Sequence, residues 1–196
     1  MNIAIYIYKN AEVLDFSGPF EVFSTANRLS GLNNPLNVFL VAQESSLVCA
    51  RGNYHVYPHY SFDDHPPIDV LIVVGGIHFQ ELIKPKVIQW IADVAKEASL
   101  VTSVCTGAFL LAEAGLLVNR TVTTHWEDLE DLRKAYPSLH VVGDRRWVDG
   151  GEVITSGGIS AGIDMSLHIV SRLINAEIAE KTAKQMAFDW RKDSSK

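Results

Sequence analysis

The residue with the most chemistry to offer is Cys105, in the run Ser103-Val104-Cys105-Thr106-Gly107. The apolar residues before it read as a buried strand and those after it as a helix, so the cysteine stands at a strand-to-helix junction. A sharp turn at such a junction presents the side chain and leaves the next N–H groups open, as in a nucleophile elbow. A helix N-terminus carries partial positive charge, which favours thiolate over thiol, and thiolate is the nucleophilic form. The position also suits a small buried hydrophobe, and the local sequence alone does not separate the two readings. Cys49, the other cysteine, has no such context and reads as packing.

Four further segments sit at the ends of apolar runs. Leu14-Asp15-Phe16-Ser17-Gly18-Pro19 places Asp15 just ahead of a helix that Gly18-Pro19 opens, where it either charges the helix start or serves the thiol as a general acid. In Val74-Gly75-Gly76-Ile77 the glycines let backbone approach a ligand, and their N–H groups are candidates for stabilising negative charge; a plain tight turn is the other reading. Thr123-Thr124-His125-Trp126 offers His125 as a base, a cap or a packed side chain. Gly157-Gly158-Ile159-Ser160-Ala161-Gly162-Ile163-Asp164 opens a helix, and Asp164 falls in its first turn, where the dipole alone favours an acid. There is no GxxxxGK or GxGxxG phosphate loop and no paired metal spacing, so no metal or other cofactor is expected.

The elements that must position these residues alternate between strand and helix. Strands are expected at residues 3–8, 36–42, 69–74 and 100–104, with a small antiparallel excursion made of 47–49 and 54–58. Helices are expected from Gly18 to about Leu29, and over 87–98, 106–114, 126–136, 161–174 and 176–186, with Gly115 ending the third. Gly150-Gly151 reads as a hairpin turn between 146–149 and 152–155. This alternation implies an α/β domain: a mostly parallel sheet with helices on both faces, spanning 1–190, then a polar, frayed tail at 191–196. In such sheets function gathers at the carboxyl ends of the strands.

The composition agrees with one well-packed domain: 196 residues, 47% hydrophobic. The net charge of −6 argues against a nucleic-acid surface. Two cysteines make no disulfide framework and fit a reducing, cytoplasmic setting. No targeting segment is visible, and no apolar run nears the roughly 20 residues that span a membrane, so neither a membrane nor a nucleic acid is expected as a partner.

Taken in order from Asp15 to Asp164, the segments resemble the DJ-1/PfpI superfamily. The pattern is most similar to the isonitrile (isocyanide) hydratase branch, and also to the ligand-binding domains of AraC-type regulators. Those regulators continue into a helix-turn-helix region, which a chain ending at Lys196 is expected to lack. The resemblance implies a flavodoxin-like sheet, a homodimer and a cysteine at a strained elbow. Carried over residue by residue, it implies Cys105 as nucleophile and Asp15 as its acid/base partner, where other branches place a glutamate. It implies hydrogen bonds to a small-molecule substrate from Gly76, Ile77 and Thr106, with His125 close to the cysteine. Phe16, Phe79 and Trp126 are candidates for an apolar wall or for core packing.

The reaction so implied is hydration of an isonitrile to an N-substituted formamide through a covalent thioimidate. Two rivals remain at this level. One is a glyoxalase or deglycase acting on 2-oxoaldehydes. The other is a non-catalytic sensor that binds a small molecule or is oxidised at Cys105.

Overall fold

A computed structural model describes residues 1–31, 33 and 35–194. The elements run β1 (Asn2–Tyr6), α1 (Val13–Ser30), β2 (Asn37–Ala42), β3 (Val48–Ala50), β4 (Tyr54–Val56), β5 (Tyr60–Ser61), β6 (Val70–Val73), α2 (Phe79–Leu82), α3 (Pro85–Glu97), β7 (Leu100–Val104) and α4 (Gly107–Glu113). Then come β8 (Thr121–Val122), α5 (Leu129–Ala135), β9 (His140–Val141), β10 (Trp147–Asp149), β11 (Val153–Ser156), α6 (Ala161–Leu173) and α7 (Ala176–Gln185).

Seven strands form one sheet in the order β10-β11-β7-β6-β1-β2-β5. Every neighbouring pair is parallel except the β10–β11 hairpin. The central strands are apolar throughout because both faces are covered: all four residues of β6 and all five of β7 are buried. Helices α1, α6 and α7 pack together on one side, and α2, α3 and α4 on the other. The amphipathic α3 turns Val87 and Ile91 inward. The Asn175 side chain caps α7 by accepting from Ile178 N–H at 2.9 Å.

Three sequence expectations need correction. First, α1 starts at Val13, so Asp15 lies inside its first turn and Pro19 inside the helix. The clash and lost donor of Pro19 are tolerated because the helix is held by packing: a Cβ on Gly18 would come within 2.9 Å of Ile163 on α6. Second, 126–136 divides into a 3₁₀ turn at Trp126–Asp128 and the shorter α5. Third, the start of the tail is docked. Arg191 N–H donates to Asp164 Oδ1 at 2.9 Å, and Arg146 N–H donates to Ser194 C=O at 2.6 Å. The last two residues, 195 and 196, lie outside the described part. The β3–β4 excursion pairs antiparallel as expected.

Among the described residues, no helix is long and apolar enough to cross a membrane.

Candidate active site

β7 delivers Cys105 at its carboxyl end, and the backbone there turns abruptly. Cys105 has φ +56°, a left-handed conformation uncommon for a residue with a side chain. The turn is pinned on every side. The Cys105 N–H donates to the carbonyls of Ser156 and Gly157, both at 3.2 Å. Its own carbonyl accepts from the Thr124 hydroxyl at 2.8 Å. A Cβ on Gly107 would lie 2.1 Å from the Val73 carbonyl, so α4 can start against β6 only with glycine there. This is the strained elbow anticipated from the sequence.

Asp15 approaches from α1. It is completely buried, and its carboxyl receives two backbone donors: Gly75 N–H to Oδ2 and Ile159 N–H to Oδ1, each at 3.1 Å. The Cys105 side chain is close enough for the two groups to perturb each other electrostatically. Burial outweighs these contacts and pushes the Asp15 pKa up to about 7.

The glycine pair after β6 closes the site from a third direction. A Cβ on Gly75 would stand 2.7 Å from the Cys105 Cβ, and one on Gly76 would stand 2.3 Å from the Asn10 carbonyl. The close approach read from the sequence is therefore to the elbow and to the loop after β1. The Gly76 N–H donates to Thr106 Oγ1 at 2.9 Å, and that hydroxyl donates back to the Gly76 carbonyl at 3.0 Å. The Ile77 N–H donates to the Asn10 carbonyl at 3.1 Å. The Gly76 and Ile77 donors are thus engaged with protein in this conformation, where the sequence suggested open N–H groups. The Thr106 backbone N–H is the nearby group that favours the thiolate.

The thiol itself differs from expectation. The helix start was expected to lower its pKa, yet burial pushes the Cys105 thiol well above the usual range. The Asp15, Asp128 and Glu12 carboxylates add to this, and the Thr106 N–H opposes it only in part. Helix α4 has seven residues, a short dipole against a desolvated sulfur ringed by acids. Cys105 rests as a thiol beside the buried Asp15 carboxyl.

Two other candidates fall into place differently. The Cδ2 edge of the His125 ring abuts Gly158, where a Cβ would come within 2.2 Å of it, and its Nδ1 pairs with Asp128 at 3.4 Å. Asp164 is taken up by other partners. It is buried, accepts from Arg146 Nε at 2.7 Å and holds the docked tail. Phe16 is core, against the ring of Tyr54, whereas Phe79 and Trp126 are exposed.

Sequence reasoning passed over Thr124 and Ile159. Ile159 also sits at φ +58°, a genuine outlier for a β-branched residue, and this turns its N–H onto Asp15. The Thr-Thr and Gly-Gly-Ile blocks were visible, but nothing local says which of their polar groups face the elbow.

The DJ-1/PfpI family model matches residues 1–172. The chain belongs to the DJ-1/PfpI family. This family member is 31% identical to an isonitrile hydratase of Pseudomonas putida over 189 residues, covering 96% of this chain and 78% of the relative. It is 25% identical over 188 residues to the HTH-type transcriptional regulator GbdR of Pseudomonas aeruginosa, of which it spans 51% of the length. Its fold matches a THiJ/PfpI family protein from Pseudomonas syringae with a TM-score of 0.85 and 26% identity, covering 97% of this chain and 76% of that one.

Proposed function

We propose that the protein hydrates isonitriles to N-substituted formamides, with Cys105 as nucleophile and Asp15 as proton carrier. The observation that carries this reading is the nearness of a buried thiol to a carboxyl held at about 7, close enough for each to perturb the other. A carboxyl at that value can accept and return a proton near neutral pH. The similarity to the P. putida hydratase supports the same reading.

In the first step the Cys105 sulfur bonds to the terminal carbon of R–N≡C while its proton passes through Asp15 to that carbon, giving the thioimidate R–N=CH–S. Water then adds to this carbon. Asp15 takes one water proton and the nitrogen gains it. The C–S bond breaks, the remaining hydroxyl proton returns to sulfur through Asp15, and R–NH–CHO leaves. One water enters and one formamide departs, with both side chains restored and no cofactor called for.

A 2-oxoaldehyde enzyme would use the same pair, adding the thiol to an aldehyde and moving a proton between carbons. The oxidation-sensor reading is weakened by the raised thiol, since thiolate is the oxidised form. The likeness to regulators covers about half of their length and keeps small-molecule binding as the remaining rival. A homodimer in the cytoplasm belongs to this proposal as its setting.

The test is formamide release from cyclohexyl isonitrile by wild type, Cys105→Ala and Asp15→Asn. Turnover by wild type that both variants lose supports the reading. Full turnover by Cys105→Ala ends it. No turnover by wild type, with lactate formed from methylglyoxal, hands the site to the 2-oxoaldehyde chemistry.

A further inference from the structure

Tyr6, which ends β1, and Tyr8, two residues on, have their rings 5.7 Å apart, yet their hydroxyls fare differently. Tyr6 donates to Glu81 at 2.7 Å. Tyr8 is 4% exposed, and among the described residues its hydroxyl has no hydrogen-bond partner. An unpaired phenol O–H inside a protein is costly, and one that persists calls for a reason.

The sheet register shows where this hydroxyl belongs. Tyr6 pairs with Val73 of β6, and Val73 pairs with Ser103 of β7. Carried two residues on, the same alignment brings Tyr8, Gly75 and Cys105 abreast at the carboxyl ends of their strands. The middle position has no side chain. A Cβ there would meet the Cys105 Cβ at 2.7 Å and the Thr106 Oγ1 at 2.8 Å. Glycine thus leaves open the ground between the phenol and the elbow.

The surroundings of the hydroxyl agree. The charges of Asp15 and Cys105 both act on it, and the Thr106 hydroxyl lies beside it. That hydroxyl is already engaged with the Gly76 N–H at 2.9 Å and with the Gly76 carbonyl at 3.0 Å. Glu81 also acts on Tyr8 but is committed to Tyr6 and Lys84. Burial and these charges hold Tyr8 well above the ordinary tyrosine range, so near neutral pH it is a fixed, neutral donor.

The proposed hydration has a use for such a donor. When the C–S bond forms, the thioimidate R–N=CH–S gains a basic nitrogen two bonds from the sulfur. A donor on that nitrogen draws electron density from the carbon and prepares it for water. The donor keeps its own proton, because the one the nitrogen retains comes from water through Asp15.

We infer that the Tyr8 hydroxyl is a catalytic hydrogen-bond donor to the substrate nitrogen, engaged once the thioimidate has formed. This rests on isonitrile hydration at Cys105 and assigns the group that speeds its second half.

Tyr8→Phe tests it, with Tyr6→Phe as control and cyclohexyl isonitrile as substrate. Because the Tyr8 hydroxyl is unpaired, Tyr8→Phe is expected to melt at or above the wild-type temperature. Its turnover is expected to fall roughly tenfold or more. Intact-mass spectrometry during turnover is expected to show protein carrying one isonitrile equivalent, an adduct that adding Cys105→Ala removes. Tyr6→Phe breaks a made hydrogen bond and is expected to melt lower while keeping its turnover per folded molecule. Wild-type turnover by Tyr8→Phe, or a loss without accumulated adduct, overturns the role of Tyr8 and leaves the hydration standing. No formamide from wild type overturns both.

Discussion

Asp15 and Ile159 stand 144 positions apart in the chain, and the Ile159 N–H donates to the Asp15 carboxyl at 3.1 Å. The contact exists because Ile159 accepts a left-handed backbone that a β-branched residue resists. The donor fixes the orientation of the acid, while burial sets its proton affinity.

That affinity makes stability depend on pH. Asp15 binds its proton more tightly folded, at about 7, than unfolded, near the ordinary carboxyl value. Its favourable contribution is therefore complete below about pH 4 and is lost as pH rises through about 7. Relative to Asp15→Asn, wild type is expected to lose on the order of 4 kcal/mol of unfolding free energy across this window, measured by urea denaturation at successive pH values. A difference between the two proteins that stays flat with pH contradicts it.

The thiol is expected to alkylate slowly. In a Cys49→Ser background, iodoacetamide should modify Cys105 more slowly at pH 8 than it modifies glutathione. Asp15→Asn removes one of the charges that hold the thiol up, and roughly a tenfold acceleration is expected for each pKa unit recovered. Mass spectrometry of timed samples reads both rates.

Thr124 anchors the elbow by donating to the Cys105 carbonyl. Thr124→Val keeps the shape and removes the donor. The expected cost is about 1 kcal/mol in stability, accompanied by a drop in turnover larger than that cost explains by unfolding. Equal turnover per folded molecule would show that the elbow needs no such anchor.

Asp164 is expected to matter for folding alone. Asp164→Asn leaves Arg146 beside a neutral partner, an expected loss on the order of 3 kcal/mol. Turnover per folded molecule should be unchanged, as checked by combining active-site titration with thermal melts.

Much of this architecture is legible in the chain because buried parallel strands are continuous apolar runs. Val70–Val73 and Leu100–Val104 need no partner to be read. The short strands β5, β8 and β9 hold two residues each and carry no period to detect. Cys105 and Asp15 were visible because each ends or begins an element. Thr124 was not singled out, since a hydroxyl that meets a carbonyl 19 positions away leaves no local mark. The raised thiol was missed for a related reason: the helix start is written beside Cys105, but the acids around it come from Glu12, Asp15 and Asp128.

Pro19 has one more effect on α1. Lacking an N–H, it cannot complete the helical bond to the carbonyl four residues earlier, which belongs to Asp15. The turn carrying the acid is thus coupled to the remainder of its helix through one fewer crosslink. The turn carrying the acid therefore leans on contacts from outside its own helix, the Gly75 and Ile159 N–H groups that hold its carboxyl.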